Sequence, residues 1–122
     1  MENLIIIPAR LESSRLPNKP LAEIAGLPMI IHVMNRAIES NCGDVIIATP
    51  NKEIFEIVNS YNGIAIMTKF SHESGSDRVF EALERYDKDK KYKTIINLQG
   101  DLPNINPSLI NRTYKLLTEN SN

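Results

Sequence analysis

The sequence predicts an α/β domain in which a mostly parallel sheet lies between helices, the three-layer αβα arrangement. Four short apolar runs alternate along the chain with segments whose apolar residues recur at helical spacing. The runs indicate strands buried on both faces, as in a parallel sheet. Strands that alternate with helices form βαβ units, which imply parallel pairing with right-handed crossovers.

The strands are predicted where the apolar runs end at turn-forming residues. They are residues 4–7, 45–49, 64–67 and 94–98. The first run contains three isoleucines and is followed by Pro8. Because proline cannot donate to a ladder, we expect this strand to stop before Pro8.

The helices are predicted from apolar stripes and from the residues that flank them. They cover residues 29–40, 52–61, about 76–86 and 106–118. The stripe of the first includes Ile38 and that of the third includes Phe80, so we expect both side chains to be buried. Asn41 to Asp44 should end the first helix, and Asn62-Gly63 is interpreted as the end of the second rather than as a hairpin. Residues 87–93 are predicted to be a charged surface connection.

Composition restricts the possible classes of protein. The 122 residues, 42% of them hydrophobic, suffice for one modest domain with a core. A net charge of −1 without a basic stripe makes nucleic acid an unexpected partner. No apolar run approaches the length of a membrane span, and no secretory signal is seen. Cys42 is the single cysteine, so an internal disulfide is excluded and a cytoplasmic location is expected.

A cationic loop follows the first predicted strand. It carries Arg10, Arg15 and Lys19 between prolines. Ligands of open α/β sheets bind at the carboxyl ends of strands, and arginine and lysine are the side chains that grip phosphate. We therefore predict a nucleotide triphosphate site here, the alternative being a solvated loop. The glycine patterns of a P-loop and of a dinucleotide fingerprint are both absent.

Two further segments carry possible chemistry. His72 to Arg78 is a polar loop leading into a helix, whose free amides favour an anion, although the segment taken alone is better explained as a plain helix cap. Gln99-Gly100-Asp101 follows the fourth predicted strand. A carboxylate in that place can hold Mg²⁺, which prefers oxygen ligands. The alternative is an ordinary strand-to-loop turn.

Taken together, the three segments resemble the signatures of the sugar-acid cytidylyltransferases, and most closely the 3-deoxy-manno-octulosonate (Kdo) cytidylyltransferases. The matching patterns are P-A-R-x-x-S-x-R-L-P-x-K-P at residues 8–20, H-x-S-G-x-D-R at 72–78 and Q-G-D-x-P at 99–103. The chain departs from the family at Asn18, where glycine is usual, and at Leu102, where glutamate is usual. Asparagine tolerates positive φ, so the first departure is compatible with the turn. The second puts the strength of Mg²⁺ binding in doubt.

The resemblance implies a nucleotide-diphospho-sugar transferase (Rossmann-like) fold and a reaction of CTP with Kdo that gives CMP-Kdo and pyrophosphate for lipopolysaccharide biosynthesis. It implies Mg²⁺ as cofactor with Asp101 as its ligand, and no membrane span. Catalytic roles fall on Arg10, Arg15, Lys19 and Asp101. The residues implied to bind the nucleotide are Pro8, Ala9, Arg10, Arg15, Lys19, Ser74, Gly75, Asp77, Arg78 and Gln99.

Members of that family are considerably longer than this chain. Residues 1–122 are accordingly expected to be the nucleotide-binding part of a cytidylyltransferase domain, without the C-terminal half that binds the sugar acid and forms the homodimer. We therefore expect that this chain alone does not catalyse the reaction of CTP with Kdo. The alternatives are a non-catalytic CTP-binding fragment and another sugar-acid cytidylyltransferase, such as a CMP-sialic acid synthetase.

Overall fold

The structure is a computed structural model, and it describes residues 2–11, 19–69, 75–89 and 91–98, with only the backbone of Lys19, Gly75 and Ser76. In chain order the strands are β1 (Asn3–Pro8), β2 (Glu23–Ile24), β3 (Leu27–Pro28), β4 (Asp44–Thr49), β5 (Ala65–Met67) and β6 (Thr94–Asn97). The helices are α1 (Met29–Ser40), α2 (Lys52–Ser60) and α3 (Gly75–Tyr86), and a 3-10 turn covers Lys19–Leu21. The predicted helix at 106–118 lies outside the described residues.

The main sheet is parallel throughout its described strands, in the order β5-β4-β1-β6. The chain winds outward from β1 to β4 and β5, and then places β6 on the other side of β1. The winding direction therefore reverses between β1 and β6. In open α/β sheets this reversal opens a crevice at the carboxyl ends of the two strands, where ligands bind.

Helices cover both faces of the sheet, because alternate residues of β1 and β4 point to opposite sides. Ile5, Ile7 and Ile47 pack against α1 and α2 in one core cluster. Leu4, Ile6 and Ile46 pack with α3 in the other. These six side chains are fully buried. The predicted three-layer arrangement and the predicted two-sided burial of the strands are both confirmed.

The first strand runs one residue further than the sequence predicted, since Pro8 pairs with Ala48. Neighbouring residues of a central parallel strand bond to opposite partners. The Ala9 N–H donates to the carbonyl oxygen of Ala48 on the β4 side (2.9 Å), so the Pro8 nitrogen faces the β6 side. There the paired register ends at Ile6 and Asn97. The missing donor of Pro8 therefore lies on the side where the pairing with β6 ends, and the pairing with β4 is not interrupted.

Two residues predicted to be buried in helices are exposed. The exposed fraction is 54% for Ile38 in α1 and 64% for Phe80 in α3. In α3, each residue turns the helix by about 100°, so Phe80 points away from the face on which Val79 and Ala82 are buried. In α1, Ile31 is buried although it lies on the same side of the helix as Ile38, since seven residues make nearly two turns. The exposure of Ile38 therefore depends on its place near the end of α1, which apolar spacing does not predict.

The helix ends follow the prediction. Asn41 and Asn62 adopt left-handed backbone conformations, with φ of 54° and 64°. The Gly63 N–H donates to the Val58 carbonyl oxygen (2.9 Å), which is the closing hydrogen bond of a helix C-terminal motif. A Cβ on Gly63 would lie 2.5 Å from the Met34 sulfur and 2.8 Å from Val58 Cγ1, so a larger residue here would have to displace these buried side chains. Asn62-Gly63 is thus a helix end and not a hairpin turn.

The connection before β6 is more buried than predicted. The Asp87 carboxylate accepts hydrogen bonds from the backbone N–H groups of Lys91 (3.0 Å) and Tyr92 (3.1 Å), and Asp87 is 7% exposed. The Tyr92 hydroxyl donates to Asp44 Oδ2 (2.6 Å), and its ring stacks on Tyr86. Burial and the hydrogen bond to Asp44 raise the pKa of Tyr92. This end of the connection joins β6 to the amino end of β4.

We predict that Tyr92→Phe lowers the free energy of unfolding by about 1–2 kcal/mol, because it removes a hydrogen bond to a carboxylate that is only half-buried. Since folding raises the pKa of Tyr92, wild-type stability should be unaffected by its titration below about pH 10 and should fall as pH rises further. Urea unfolding at about pH 8 and about pH 11 measures both effects. Tyr61→Phe, at an exposed tyrosine, is the control. Equal stability and equal alkaline loss in the two variants would contradict the assignment.

Candidate functional site

Arg10 is presented at the carboxyl end of β1. The backbone is held on either side of it, by the hydrogen bond from the Ala9 N–H to Ala48 and by one from the Leu11 N–H to Asn51 Oδ1 (2.9 Å). Ala9 is buried, whereas Arg10 is exposed. Within the described parts of the chain, its guanidinium makes no ion pair. Pro8, Ala9 and Arg10 therefore lie at the edge of the sheet where a ligand is expected.

The far end of the cationic loop is attached to α1. The 3-10 turn begins at Lys19, Pro20 is buried, and Leu21 packs against the core cluster of α1 and α2. The Met29 N–H then donates to the Ala22 carbonyl oxygen (2.8 Å). A short hairpin, β2–β3, which the sequence analysis missed, stands between them. Arg15 and the side chain of Lys19 lie outside the description, so their predicted contacts with phosphate stay predictions.

His32 joins that hairpin to α1. Its Nε2 contacts the carbonyl oxygen of Ile24, and the imidazole is half-buried. This contact makes His32 a link between α1 and β2.

Arg78 fixes the segment that follows β5. Its Nη1 donates to Thr68 Oγ1 and to the carbonyl oxygen of Lys69, both at 2.9 Å, and the residue is 3% exposed. The Lys69 N–H donates to Glu81 Oε1 (2.9 Å), one turn further along α3. The Thr68 N–H in turn donates to the Thr49 carbonyl oxygen (2.9 Å). The guanidinium therefore ties α3 to the carboxyl end of the sheet.

The other members of the second motif lie at the start of α3. Gly75 begins the helix, and Asp77 is an exposed acidic residue in its first turn, where the helix dipole favours negative charge. Ser74 lies outside the described residues. The predicted helix start is confirmed, and base recognition by Ser74, Gly75, Asp77 and Arg78 stays a prediction.

The third motif begins where the description ends. The Leu98 N–H donates to the Ile6 carbonyl oxygen (3.1 Å), which holds the end of β6 against β1. Gln99 and Asp101 follow directly in the chain but are outside the described residues. Among residues 2–11, 19–69, 75–89 and 91–98, no group of three or more His, Cys, Asp or Glu side chains could hold a metal ion. None of the helices described there is long and apolar enough to cross a membrane.

Two polar residues at this edge of the sheet escaped the sequence analysis. Asn51 and Thr68 are 4% and 7% exposed, and each accepts a hydrogen bond from a distant part of the chain. Asn51 lies between a strand and a helix, and the sequence therefore predicts a helix N-cap at this position. Its bond to Leu11 spans 40 residues and leaves no local signal.

We predict that Arg78→Lys lowers the free energy of unfolding by about 1–3 kcal/mol, because a single ammonium group cannot reproduce the guanidinium's planar set of donors. Urea unfolding is the measurement. Arg36→Lys is the matched control, since Arg36 makes an exposed ion pair with Glu39. If the two variants are equally stable, Arg78 does not anchor α3 as described.

Comparison with known proteins places these observations in a family. A family model described as cytidylyltransferase matches residues 4–122. The 3-deoxy-manno-octulosonate cytidylyltransferase of Methylorubrum extorquens is 51% identical over 107 residues, covering 88% of this chain and 43% of the relative. That of Mesorhizobium japonicum is 52% identical over 110 residues, covering 90% and 46%. The chain thus spans less than half the length of these relatives.

Two solved structures resemble this chain in fold. A CMP:2-keto-3-deoxy-manno-octonic acid synthetase complexed with CTP superposes with a TM-score of 0.89 and 38% identity, over 99% of this chain and 49% of that one. A nucleotidyl transferase from Methanothermobacter superposes with a TM-score of 0.76 at 16% identity, over 93% of this chain and 56% of that one. The second likeness concerns the fold alone.

Proposed function

Because the chain belongs to the cytidylyltransferase family, we propose that residues 1–122 are the nucleotide-binding part of a 3-deoxy-manno-octulosonate cytidylyltransferase and that they bind CTP. The observation that carries the proposal is the exposed Arg10 between two anchored amides at the carboxyl end of the central strand. The likeness to a structure complexed with CTP supports it.

The proposed reaction is the transfer of a cytidylyl group from CTP to Kdo. The anomeric hydroxyl of the sugar acid attacks the α-phosphorus in line, its proton is lost, and pyrophosphate leaves. The protein's work is to hold the reactants in place and to balance the charge of the phosphate oxygens. The product serves lipopolysaccharide biosynthesis, and a cytoplasmic location is part of the proposal.

The cations of the first loop are proposed to bind the triphosphate. Arg10 would make charge-assisted hydrogen bonds to phosphate oxygens, together with Arg15 and Lys19. Ser74, Gly75, Asp77 and Gln99 are proposed to contact the nucleoside. Arg78 is bound to Thr68 and Lys69, so we propose that it serves the base site chiefly by holding the loop after β5.

We propose Mg²⁺ as the cofactor and Asp101 as the residue that holds it. The described residues contain no cluster of carboxylates of their own. A single aspartate fits this ion, because Mg²⁺ is commonly bound by one or two carboxylates with waters and substrate phosphates. When bound, the ion would neutralise part of the triphosphate charge.

A second candidate is a CTP-binding unit that does not turn over alone. It is favoured because the chain covers only 43% and 46% of the length of two relatives that are named as 3-deoxy-manno-octulosonate cytidylyltransferases. Pyrophosphate release in the presence of CTP, Kdo and Mg²⁺, compared with CTP binding by the same chain, separates the two. Turnover comparable to that of a relative would show that residues 1–122 carry out the whole proposed reaction, whereas CTP binding without turnover would show that they bind the nucleotide only.

We predict that the chain binds CTP more tightly than ATP or GTP, because a pocket formed for cytosine is too small for a purine. Calorimetric titration with each nucleotide in Mg²⁺ is the measurement, and cytidine without phosphates shows how much of the affinity the base contributes. Equal affinity for CTP, ATP and GTP would contradict the cytosine assignment while leaving the phosphate site in place. Absence of nucleotide binding would contradict the proposed function.

A further inference from the structure

Asn51 stands at the N-cap of α2 but does not cap it. Its backbone has the extended conformation of a cap residue (φ −101°, ψ 123°), yet its side chain makes no hydrogen bond to the first turn of the helix. Asparagine in this position ordinarily accepts from an amide of the second or third helical residue. Here Oδ1 accepts instead from the Leu11 N–H, 2.9 Å away, in the loop after β1. The side chain is thus used for a contact between distant segments.

This contact continues the ladder between β1 and β4 beyond the end of the strands. Alternate residues of β1 bond to β4, and Ala9 donates to Ala48 in that series. The next donor on the same side is Leu11, but β4 has ended at Thr49. Asn51 Oδ1 therefore accepts the hydrogen bond that a backbone carbonyl oxygen of a longer β4 would accept. Arg10 is therefore bracketed by two hydrogen-bonded amides.

The acceptor is itself firmly held. The Asn51 N–H donates to Thr49 Oγ1 (3.1 Å), and its carbonyl oxygen accepts from the Phe55 N–H (3.0 Å) in the first turn of α2. Ile54, in the same turn, is fully buried in the core. With 4% exposure, Asn51 has little freedom to change rotamer. A serine hydroxyl would be one bond too short to replace Oδ1, whereas aspartate has the same reach.

We infer that Asn51 is a positioning residue that fixes the backbone of Arg10 so that its guanidinium meets the triphosphate. The inference rests on the proposed function and deepens it, because it assigns part of the triphosphate affinity to a residue outside the cationic loop. The benefit is entropic: an arginine on a fixed backbone loses less freedom on binding than one on a free loop.

The test compares Asn51→Ser with Asn51→Asp. Serine is a favoured N-cap residue, so α2 should tolerate it while Leu11 loses its acceptor. Aspartate keeps an acceptor of the same reach. Asn59→Ser, at an exposed position of α2, is the matched control, and Arg10→Ala shows the effect of removing the phosphate contact itself. Each variant is titrated with CTP·Mg²⁺ and with cytidine, and exchange of the Leu11 amide hydrogen is followed without ligand.

We expect Asn51→Ser to speed exchange at Leu11 and to weaken CTP binding up to about tenfold, which corresponds to the cost of ordering one mobile side chain, with cytidine binding unchanged. Asn51→Asp should keep Leu11 protected and bind CTP more tightly than Asn51→Ser. Asn59→Ser should behave as the wild type.

Three results would overturn the inference. In the first, Asn51→Ser exposes Leu11 but binds CTP as the wild type does, so that the contact is structural only. In the second, CTP and cytidine are weakened alike. In the third, the Leu11 amide already exchanges rapidly in the wild type. This measurement does not need the Asn51→Ser variant, so it tests the inference even if that variant does not fold. Failure of the wild type to bind CTP contradicts the proposed function as well, whereas the three results above leave it intact.

Discussion

The structure depends on the burial of β1 on both faces. Leu4, Ile5, Ile6 and Ile7 are all fully buried, alternately against α1 with α2 and against α3. Full burial of an aliphatic side chain contributes about 1.5–3 kcal/mol, so this short strand stabilises both halves of the core. It is also hydrogen-bonded to β4 on one side and β6 on the other. The direction of β1, and hence the place where its loop emerges, is thereby fixed.

The two ends of the sheet are held by different chemistry. At the amino end, the Tyr92 hydroxyl is bound to Asp44 and its backbone to Asp87, and the exposed Lys91 ammonium lies over the Tyr92 ring, 4.9 Å from its centroid. At the carboxyl end, the strand ends are joined by Asn51 to the loop after β1 and by Arg78 to the segment after β5. These contacts leave Arg10 exposed at the carboxyl end of β1, next to the carboxyl end of β6. The amino end of the sheet is thus joined by hydrogen bonds of Tyr92 and Asp87, whereas the carboxyl end presents an exposed arginine.

Much of this arrangement could be predicted from local sequence. The apolar runs predicted parallel strands because two-sided burial requires uninterrupted hydrophobicity, and Asn62-Gly63 predicted a helix end because it needs a left-handed backbone. Arg10 was predicted to bind phosphate because of its type and its place after a strand, and the structure shows it exposed at that strand end. The hydrogen bond of Asn51 and the burial of Asp87 were missed, since each depends on segments that only the folded sheet brings together. The exposure of Phe80 was missed for the same reason: periodicity defines a stripe, and packing decides its edges.

The central claim is that CTP binds at the carboxyl ends of β1 and its neighbours. The most direct test is the change in backbone amide chemical shifts as CTP·Mg²⁺ is added to the isotopically labelled chain. The account predicts the largest changes at Ala9, Arg10 and Leu11, with further changes at Thr68 and Lys69 and none at Asp44 or Tyr92. Changes concentrated at Asp44 and Tyr92, with Ala9 to Leu11 unaffected, would contradict it.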